Sequence, residues 1–156
     1  MEGRLEAADA AFIDEEWRRL LGLPVVSLDR EYRPTDVEGL VYRDDGGVPQ
    51  GLVTWRVDGD GGEIVTVDAF EQGRHVGGRL LNGAEEELRR RGARGVTIMT
   101  TNDNLRAIAF YVRHGYRIVA VHLDAMERVR LLKPAVPETG QDGLPLRDVI
   151  ELVKEL

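Results

Sequence analysis

The sequence predicts a mixed α+β domain, and three observations carry that expectation. Between Gly39 and Val67 three apolar runs are separated by Asp/Gly turns, the pattern of an antiparallel meander. The third run leads to a glycine-rich turn, Gln72-Gly73-Arg74-His75-Val76-Gly77-Gly78, from which a helix-spaced apolar stripe departs. The strand Val96-Thr97-Ile98-Met99-Thr100 follows that helix, so the two strands flanking it are expected to be parallel neighbours.

The elements follow in order. Phe12, Trp17, Leu20 and Leu21 form an apolar stripe on a helix from Ala10 to Leu21, stopped by Gly22 and Pro24, with Trp17 expected in the core. Val25 to Leu28 is a short strand and Pro34-Thr35-Asp36 a turn. The meander strands are Gly39 to Arg43, Leu52 to Val57 and Ile64 to Val67. Val76, Leu80, Leu81, Ala84 and Leu88 mark the buried face of the next helix, and Gly92 ends it. Gly83 lies on that buried side, where a missing side chain allows close packing against the sheet. A helix capped by Asn102 or Asp103 follows, with Leu105, Ile108, Ala109 and Val112 expected to be buried and Gly115 as its stop. Tyr116 to Val121 is a strand and Leu123 to Leu132 a short helix. Residues 149–153 are ambiguous, being helix-spaced yet β-branched.

Composition narrows the class of function. At 156 residues one domain spanning 1–156 is the default, and no apolar run approaches a membrane span, so no membrane partner is expected. The acidic N-terminus lacks a signal-peptide core, which makes the cytoplasm the default address. Without cysteine there is no disulfide, thiolate metal site or cysteine nucleophile. Asp58, Asp60 and Glu63 lack the calcium-loop pattern, so no metal is expected. The net charge of −7 argues against a nucleic-acid partner. Arg89-Arg90-Arg91 is the one basic cluster of note, and Glu85, Glu86 and Glu87 stand four residues before these arginines, which reads as a solvated, salt-bridged face.

The glycine-rich turn carries the chemistry. Amides at a helix start lack partners, the helix dipole makes that end partly positive, and glycines let an anion approach closely. A tight strand-to-helix turn is the plain alternative. No Gly-Lys-Ser/Thr follows and the spacing is not G-x-G-x-x-G, so the two familiar nucleotide loops do not fit. The segment instead resembles the acetyl-CoA-binding motif of the GNAT superfamily of N-acetyltransferases, Q/R-x-x-G-x-G/A with a Leu pair soon after. Gln72, Gly77 and Leu80-Leu81 match it, while His75 stands where the first Gly usually is. A second stretch resembles the signature N-x-x-A-x-x-F/L-Y-x-x-x-G-F/Y of the same family through Asn104, Ala107, Phe110, Tyr111, Gly115 and Tyr116. Together with the meander the resemblance covers roughly residues 38 to 121, and residues 132–148 look like a bacterial GNAT subgroup.

The resemblance implies a GNAT fold, with a mixed, mostly antiparallel central sheet of about six to seven strands flanked by helices and splayed at the acetyl-CoA site. It implies a last antiparallel strand at the ambiguous end. It also implies acetyl-CoA as cosubstrate and a small primary amine as acceptor, attacking the thioester directly. Main-chain groups of Val65 to Val67 would hold the pantetheine arm. The amides of Gln72, Gly73, Arg74, His75, Val76, Gly77 and Gly78 would hold the pyrophosphate, with Arg74 and Arg79 either adding charge or lying solvated. Asn104 would fix the arm or cap its helix, and Ala107 shares the cofactor face with Tyr111. Tyr111 matches the family's proton donor to the departing thiolate, and its plain alternative is packing beside the cofactor. For the base, Glu63, Asp68, His122 or a water chain remain open. A homodimer is the candidate assembly. The alternative reading is a non-catalytic acyl-CoA-binding or regulatory module on the same fold.

Overall fold

The computed structural model describes residues 3–70 and 75–156. Its elements are β1 (Arg4–Ala7), α1 (Ala10–Leu20), β2 (Val25–Ser27), β3 (Arg30–Tyr32), β4 (Glu38–Arg43), β5 (Pro49–Asp58), β6 (Gly61–Ala69), α2 (Val76–Arg90), β7 (Gly95–Thr101), α3 (Leu105–Arg113), β8 (Arg117–His122), α4 (Ala125–Leu132) and β9 (Val149–Glu155). A seven-stranded sheet runs β1-β4-β5-β6-β7-β9-β8, and β2 pairs with β3 alone. Within the large sheet the β6–β7 pair is parallel and the others are antiparallel. This is the mixed, mostly antiparallel sheet expected, with the meander and the crossover in place.

Two layers of helix cover the sheet. On one face α2 buries Val76, Leu80, Leu81, Ala84 and Leu88 against Val53, Trp55, Ile64 and Ile98. Fully burying one such side chain is worth roughly 1.5–3 kcal/mol, so this stripe and not helix propensity holds α2 in place. A Cβ on Gly83 would lie 2.7 Å from Leu5 Cδ1 and 3.0 Å from Leu40 Cδ1, so the missing side chain lets these two leucines pack closely on α2. On the other face Ile13 and Trp17 of α1 pack with Leu52, Val25 and Tyr32. Asp9 caps α1 through its carboxylate, which accepts from the Phe12 amide at 2.8 Å. Trp17 donates from Nε1 to Thr66 Oγ1 at 3.3 Å, and Thr66 Oγ1 lies 2.6 Å from Thr54 Oγ1. These bonds fix α1 to the middle of β5 and β6.

The centre of the sheet is irregular where it matters. In the β5–β6 ladder Thr54 faces Thr66 and Trp55 faces Ile64, which leaves Val65 as an extra residue on β6. Such a bulge bends its strand and increases local twist. The β6–β7 pairing ends at Ile64 and Ile98, although β6 continues to Ala69 and β7 to Thr101. The two strands part at the bulge. Beyond it β6 leans on β5 and β7 leans on β9, so a wedge opens inside the sheet.

Three expectations need correction. The buried face of α3 is the other one: Leu105 and Val112 are exposed, while Tyr111 is buried and Ala107 and Phe110 pack on the core. Apolar residues ring this short helix, so periodicity alone selected the wrong side. Glu85 is not part of a solvated face. It is buried, accepts from Tyr116 Oη at 2.9 Å and Lys154 Nζ at 2.8 Å, and lies 3.9 Å from Arg89. Arg90 and Arg91 pair instead with Glu87 and Glu38. Finally, β1 and β3 are strands that the sequence pattern did not suggest.

Candidate functional site

The wedge between β6 and β7 opens into a cleft of about 900 Å³. Its floor is the free end of β6, Val67, Asp68 and Ala69. One wall is α3, through Asn104, Ala107, Phe110 and Tyr111, and Gly77 stands at the start of α2. Among the described residues the main-chain edge of β6 past Ile64 has no strand partner on the β7 side. An extended chain of polar atoms can therefore bond along it as an added strand would.

The two sequence motifs meet in space. A Cβ on Gly77 would approach Phe110 Cζ to 3.2 Å, and one on Gly78 would approach His114 Nε2 to 3.2 Å. Phe110 and His114 stack with ring centroids 4.3 Å apart, and His114 Nδ1 lies 2.8 Å from Phe110 O. The first turn of α2 thus lies directly beneath α3, with its unpaired amides at the mouth of the cleft. His75, the residue before α2, has φ 57° and ψ 14°. That is the left-handed region which favours glycine, so the family's usual Gly at this place has a backbone reason.

Tyr111 is almost completely buried, with its ring edge-on to Phe110 at 5.5 Å and tilted against Tyr116 at 5.9 Å. Burial raises its phenol well above the ordinary value, and the negative charge of Asp68 raises it further. Asp68 faces α1. Its strand partner is Leu52, which packs on Ile13 and Trp17, and it feels the charges of Arg19 and Glu16. Its Oδ2 is enclosed and has no hydrogen-bond partner among the described residues. Burial pushes the Asp68 carboxyl up to about 6; Arg19 opposes that rise and Glu16 adds to it.

The remaining expected residues divide. Asn104, and not Asn102 or Asp103, caps α3, its Oδ1 accepting from the Ala107 amide at 3.3 Å and its Nδ2 donating to Thr100 Oγ1 at 3.3 Å, while it also lines the cleft. Val65 lies outside the cleft and borders a small, mostly apolar pocket of about 80 Å³ on the α4 side, with Met99, Met126 and Val129. Val76 is a core residue at the start of α2. Arg79 lies over the Tyr42 ring, 5.2 Å from its centroid, away from the cleft lining. Gln72, Gly73 and Arg74 lie outside the described residues. Of the other base candidates, Glu63 accepts from Ser27 Oγ at 2.7 Å, Tyr32 Oη at 2.6 Å and Arg56 Nε at 3.2 Å. That network pushes the Tyr32 hydroxyl up to about 12 through burial and the bond to Glu63. His122 pairs with Glu151 at 2.8 Å, and neither it nor Glu63 lines the cleft.

Sequence reasoning missed four polar residues of the cleft. Arg106 and Arg113 reach it from α3. Their i,i+7 spacing places them on one helix face and was a usable signal. Gln141 and Asp142 reach it from the loop before β9. That loop is tied down by Asp103, whose Oδ2 accepts from the Gln141 amide at 2.8 Å. Asn102 adds three bonds, from the Arg147 and Asp148 amides at 3.0 and 2.9 Å and to Pro145 O at 2.8 Å. No local pattern announces such contacts between residues about forty apart.

A family model described as acetyltransferase (GNAT) family matches residues 7–116, which include β6, α2 and all of α3. The chain belongs to the GNAT acetyltransferase family. The uncharacterized protein YxbD of Bacillus subtilis is 33% identical to this GNAT protein over 148 residues, 94% of this chain and 91% of that one. Solved structures share the fold. An IAA acetyltransferase from Bacillus cereus superposes with a TM-score of 0.75 at 21% identity, covering 99% of this chain and 100% of that one. A GNAT family acetyltransferase from Elizabethkingia anophelis with acetyl-CoA bound gives 0.74 at 18% identity, covering 99% of each. The splayed strands and the glycine-opened helix of this GNAT chain fit acetyl-CoA on their own terms. A free strand edge meets the amide-bearing start of α2 in one cleft, and α3 supplies two arginines beside them. Among the described residues no group of three or more His, Asp or Glu is placed to hold a metal ion, and no helix is long and apolar enough to cross a membrane.

Proposed function

We propose that this protein is an N-acetyltransferase that moves the acetyl group of acetyl-CoA to a primary amine of a small molecule by direct attack. The observation that carries the reading is the coincidence, in one cleft, of the free β6 edge past the Val65 bulge and the buried Tyr111. The β6 main chain binds the pantetheine arm as an extra strand, which points the thioester at the apex of the wedge. The amides that open α2 hold the pyrophosphate, and Arg106 and Arg113 add positive charge along the same cleft.

The chemistry then needs a group to receive the leaving sulfur. Tyr111 lies on the α3 face that meets the cleft, held by Phe110 and Tyr116. Its raised phenol makes complete proton transfer to a thiolate uphill, so its hydroxyl works first as a hydrogen-bond donor that strengthens as charge builds on sulfur. The acceptor comes from the α1 side, and the chain's net charge of −7 favours a cationic or neutral amine over an anionic one.

A screen of primary amines with acetyl-CoA and thiol detection tests the reading, with Tyr111→Phe as the control. Phenylalanine keeps the ring and removes the donor. Turnover should fall by roughly 10²–10³ while acetyl-CoA affinity changes little. Full activity in Tyr111→Phe under chemistry-limited conditions refutes the donor role. Acetyl-CoA binding without turnover across the screen refutes the enzyme reading and favours a binding module.

A further inference from the structure

Helix α3 carries an apolar stripe that the fold does not cover. Leu105, Ile108, Ala109 and Val112 recur at i, i+3, i+4 and i+7, the spacing of a helix made to pack on something. Yet Ala107, Phe110 and Tyr111 are what meet the core, while Leu105 is 55% and Val112 48% exposed. Strand β8 continues the same surface. Ile118, Val119 and Val121 are each about half exposed, and Leu123 just beyond them is more exposed still.

These side chains form one patch. A tight turn joins α3 to β8, and the two pack side by side. Ile118 and Val121 stand opposite Leu152 and Ile150 of β9, which pack in the core beneath α2 and α3, so both rise on the α3 face of the sheet. Among the described residues most of the exposed large apolar side chains fall in this unit, from Leu105 to Leu123. Together they expose on the order of 500 Å² per copy, a size that marks an interaction site on a single chain. β8 is also the last strand of the sheet, with β9 on one side and, among the described residues, no strand on the other. Sheets guard such edges with lysine, proline or a bulge. β8 has no lysine or proline, and its register break at Val119 sets another apolar side chain in water.

We propose that α3 and β8 form the contact between two copies of this chain, related by a two-fold axis beside Val119 and Ala120. A bare edge strand is self-complementary under such an axis, because its two copies run antiparallel and offer each other the same N–H and C=O groups. The side chains of β8 fit the arrangement. Ile118 meets Val121 of the second copy, apolar against apolar on the α3 face. Arg117 begins the strand and Asp124 follows its end; both are exposed, and neither forms a salt bridge among the described residues. Antiparallel pairing makes Asp124 of the second copy a diagonal neighbour of Arg117, within reach of so long a side chain, and opposite charges close both ends. The α3 stripes flank the axis on the same face. With this polar rim the patch approaches the roughly 800 Å² per partner of a standard stable interface. An unrelated partner requires neither the opposite charges at the two ends nor the matching apolar pair. Ala107, Phe110 and Tyr111 lie on the other side of α3, so the contact leaves both clefts open and stands whether or not the protein is an acetyltransferase.

Sedimentation equilibrium over a range of chain concentrations tests this. Wild type should reach twice the chain mass of 17.4 kDa at concentrations up to about 100 μM. Ile118→Glu and Val121→Glu each bury two unpaired charges in the dimer and should raise its Kd roughly a hundredfold or more. Both side chains are exposed in the single chain, so at high dilution the variants should melt with wild type. Arg117→Glu and Asp124→Arg should each raise Kd roughly three- to tenfold, and the double variant Arg117→Glu/Asp124→Arg should return it to within a factor of a few of wild type. That rescue requires the two ends of β8 to meet across a two-fold axis. A wild type that stays at 17.4 kDa means that this face serves another partner or none, and overturns the proposal. Species larger than a dimer, a dimer indifferent to both glutamates, or charge reversals that do not compensate overturn it as well.

Discussion

Asp68→Asn should make the protein more stable at neutral pH, and the size of the gain follows from the site. The Asp68 carboxyl goes from 3.8 in the unfolded chain to about 6 in the fold. That is a rise of roughly 2 units, each worth about 1.36 kcal/mol, or about 3 kcal/mol of destabilisation once the group is ionised in both states. The sign follows from proton counting. Below about pH 3.8 the acid is neutral folded and unfolded, and it contributes nothing. Between 3.8 and 6 the folded state binds more protons, so stability falls as pH rises. Above 6 the loss is complete and constant. Asparagine removes the charge but leaves an enclosed polar group, which costs about 1–2 kcal/mol in its turn. The variant should therefore gain about 1–2 kcal/mol at pH 8, near 3–6 °C in melting temperature for a chain of this size, and should be less stable than wild type by about 1–2 kcal/mol at pH 3.5, where the neutral wild-type acid no longer carries its ionisation penalty. Urea unfolding at the two pH values reads it directly. A variant less stable than wild type by about 1 kcal/mol or more at pH 8 refutes the reasoning, because it means the ionised carboxylate makes bonds that hold the fold.

Two further substitutions examine the start of α2. Gly77→Asp should abolish the rise in melting temperature that acetyl-CoA produces in wild type, since it sets a like charge against the phosphates; it should also melt lower unliganded, because its Cβ presses on Phe110. An equal ligand-induced shift in both proteins removes the cofactor from this loop. His75→Gly relieves a left-handed backbone, so stability should hold or rise by up to about 1 kcal/mol, and acetyl-CoA should bind within a factor of a few by calorimetry. A large loss of affinity instead makes the imidazole a cofactor contact.

Much of this architecture was legible because local and global signals agreed. α2 has its stripe, its glycine start and its glycine stop, and it runs from Val76 to Arg90 as the pattern requires. The strands that the sequence pattern left unread or ambiguous are those where side chains do not decide. Arg4–Ala7 carries helix-favouring residues and is a strand only because β4 offers it an edge. Arg30-Glu31-Tyr32 is held by β2 and by the bonds of Tyr32 to Glu63 and Arg56. β9 shows helical spacing, but partners on both sides override it. At the site, residues on regular elements were found: Val67, Gly77, Asn104, Ala107 and Tyr111. Gln141 and Asp142 were not, because their position depends on bonds from Asn102 and Asp103 across a long loop. Glu85 was misjudged for a related reason: its partner Lys154 lies 69 residues away.

The position of β9 bears on how the molecule is made. It lies between β7 and β8 and bonds to both, yet it is synthesised after both. While the ribosome is still adding residues before Val149, the β1-β4-β5-β6 half can already assemble, most of its partners being close in sequence. The other half has an empty lane, with β7 and β8 each showing an unpaired edge to it. Val96 must wait for Lys154, so the slow, long-range step comes last. The chain is most open to aggregation in that interval, when two strand edges stand bare. The cleft has one wall in each half, and it comes into being only as the final strand zips the two together.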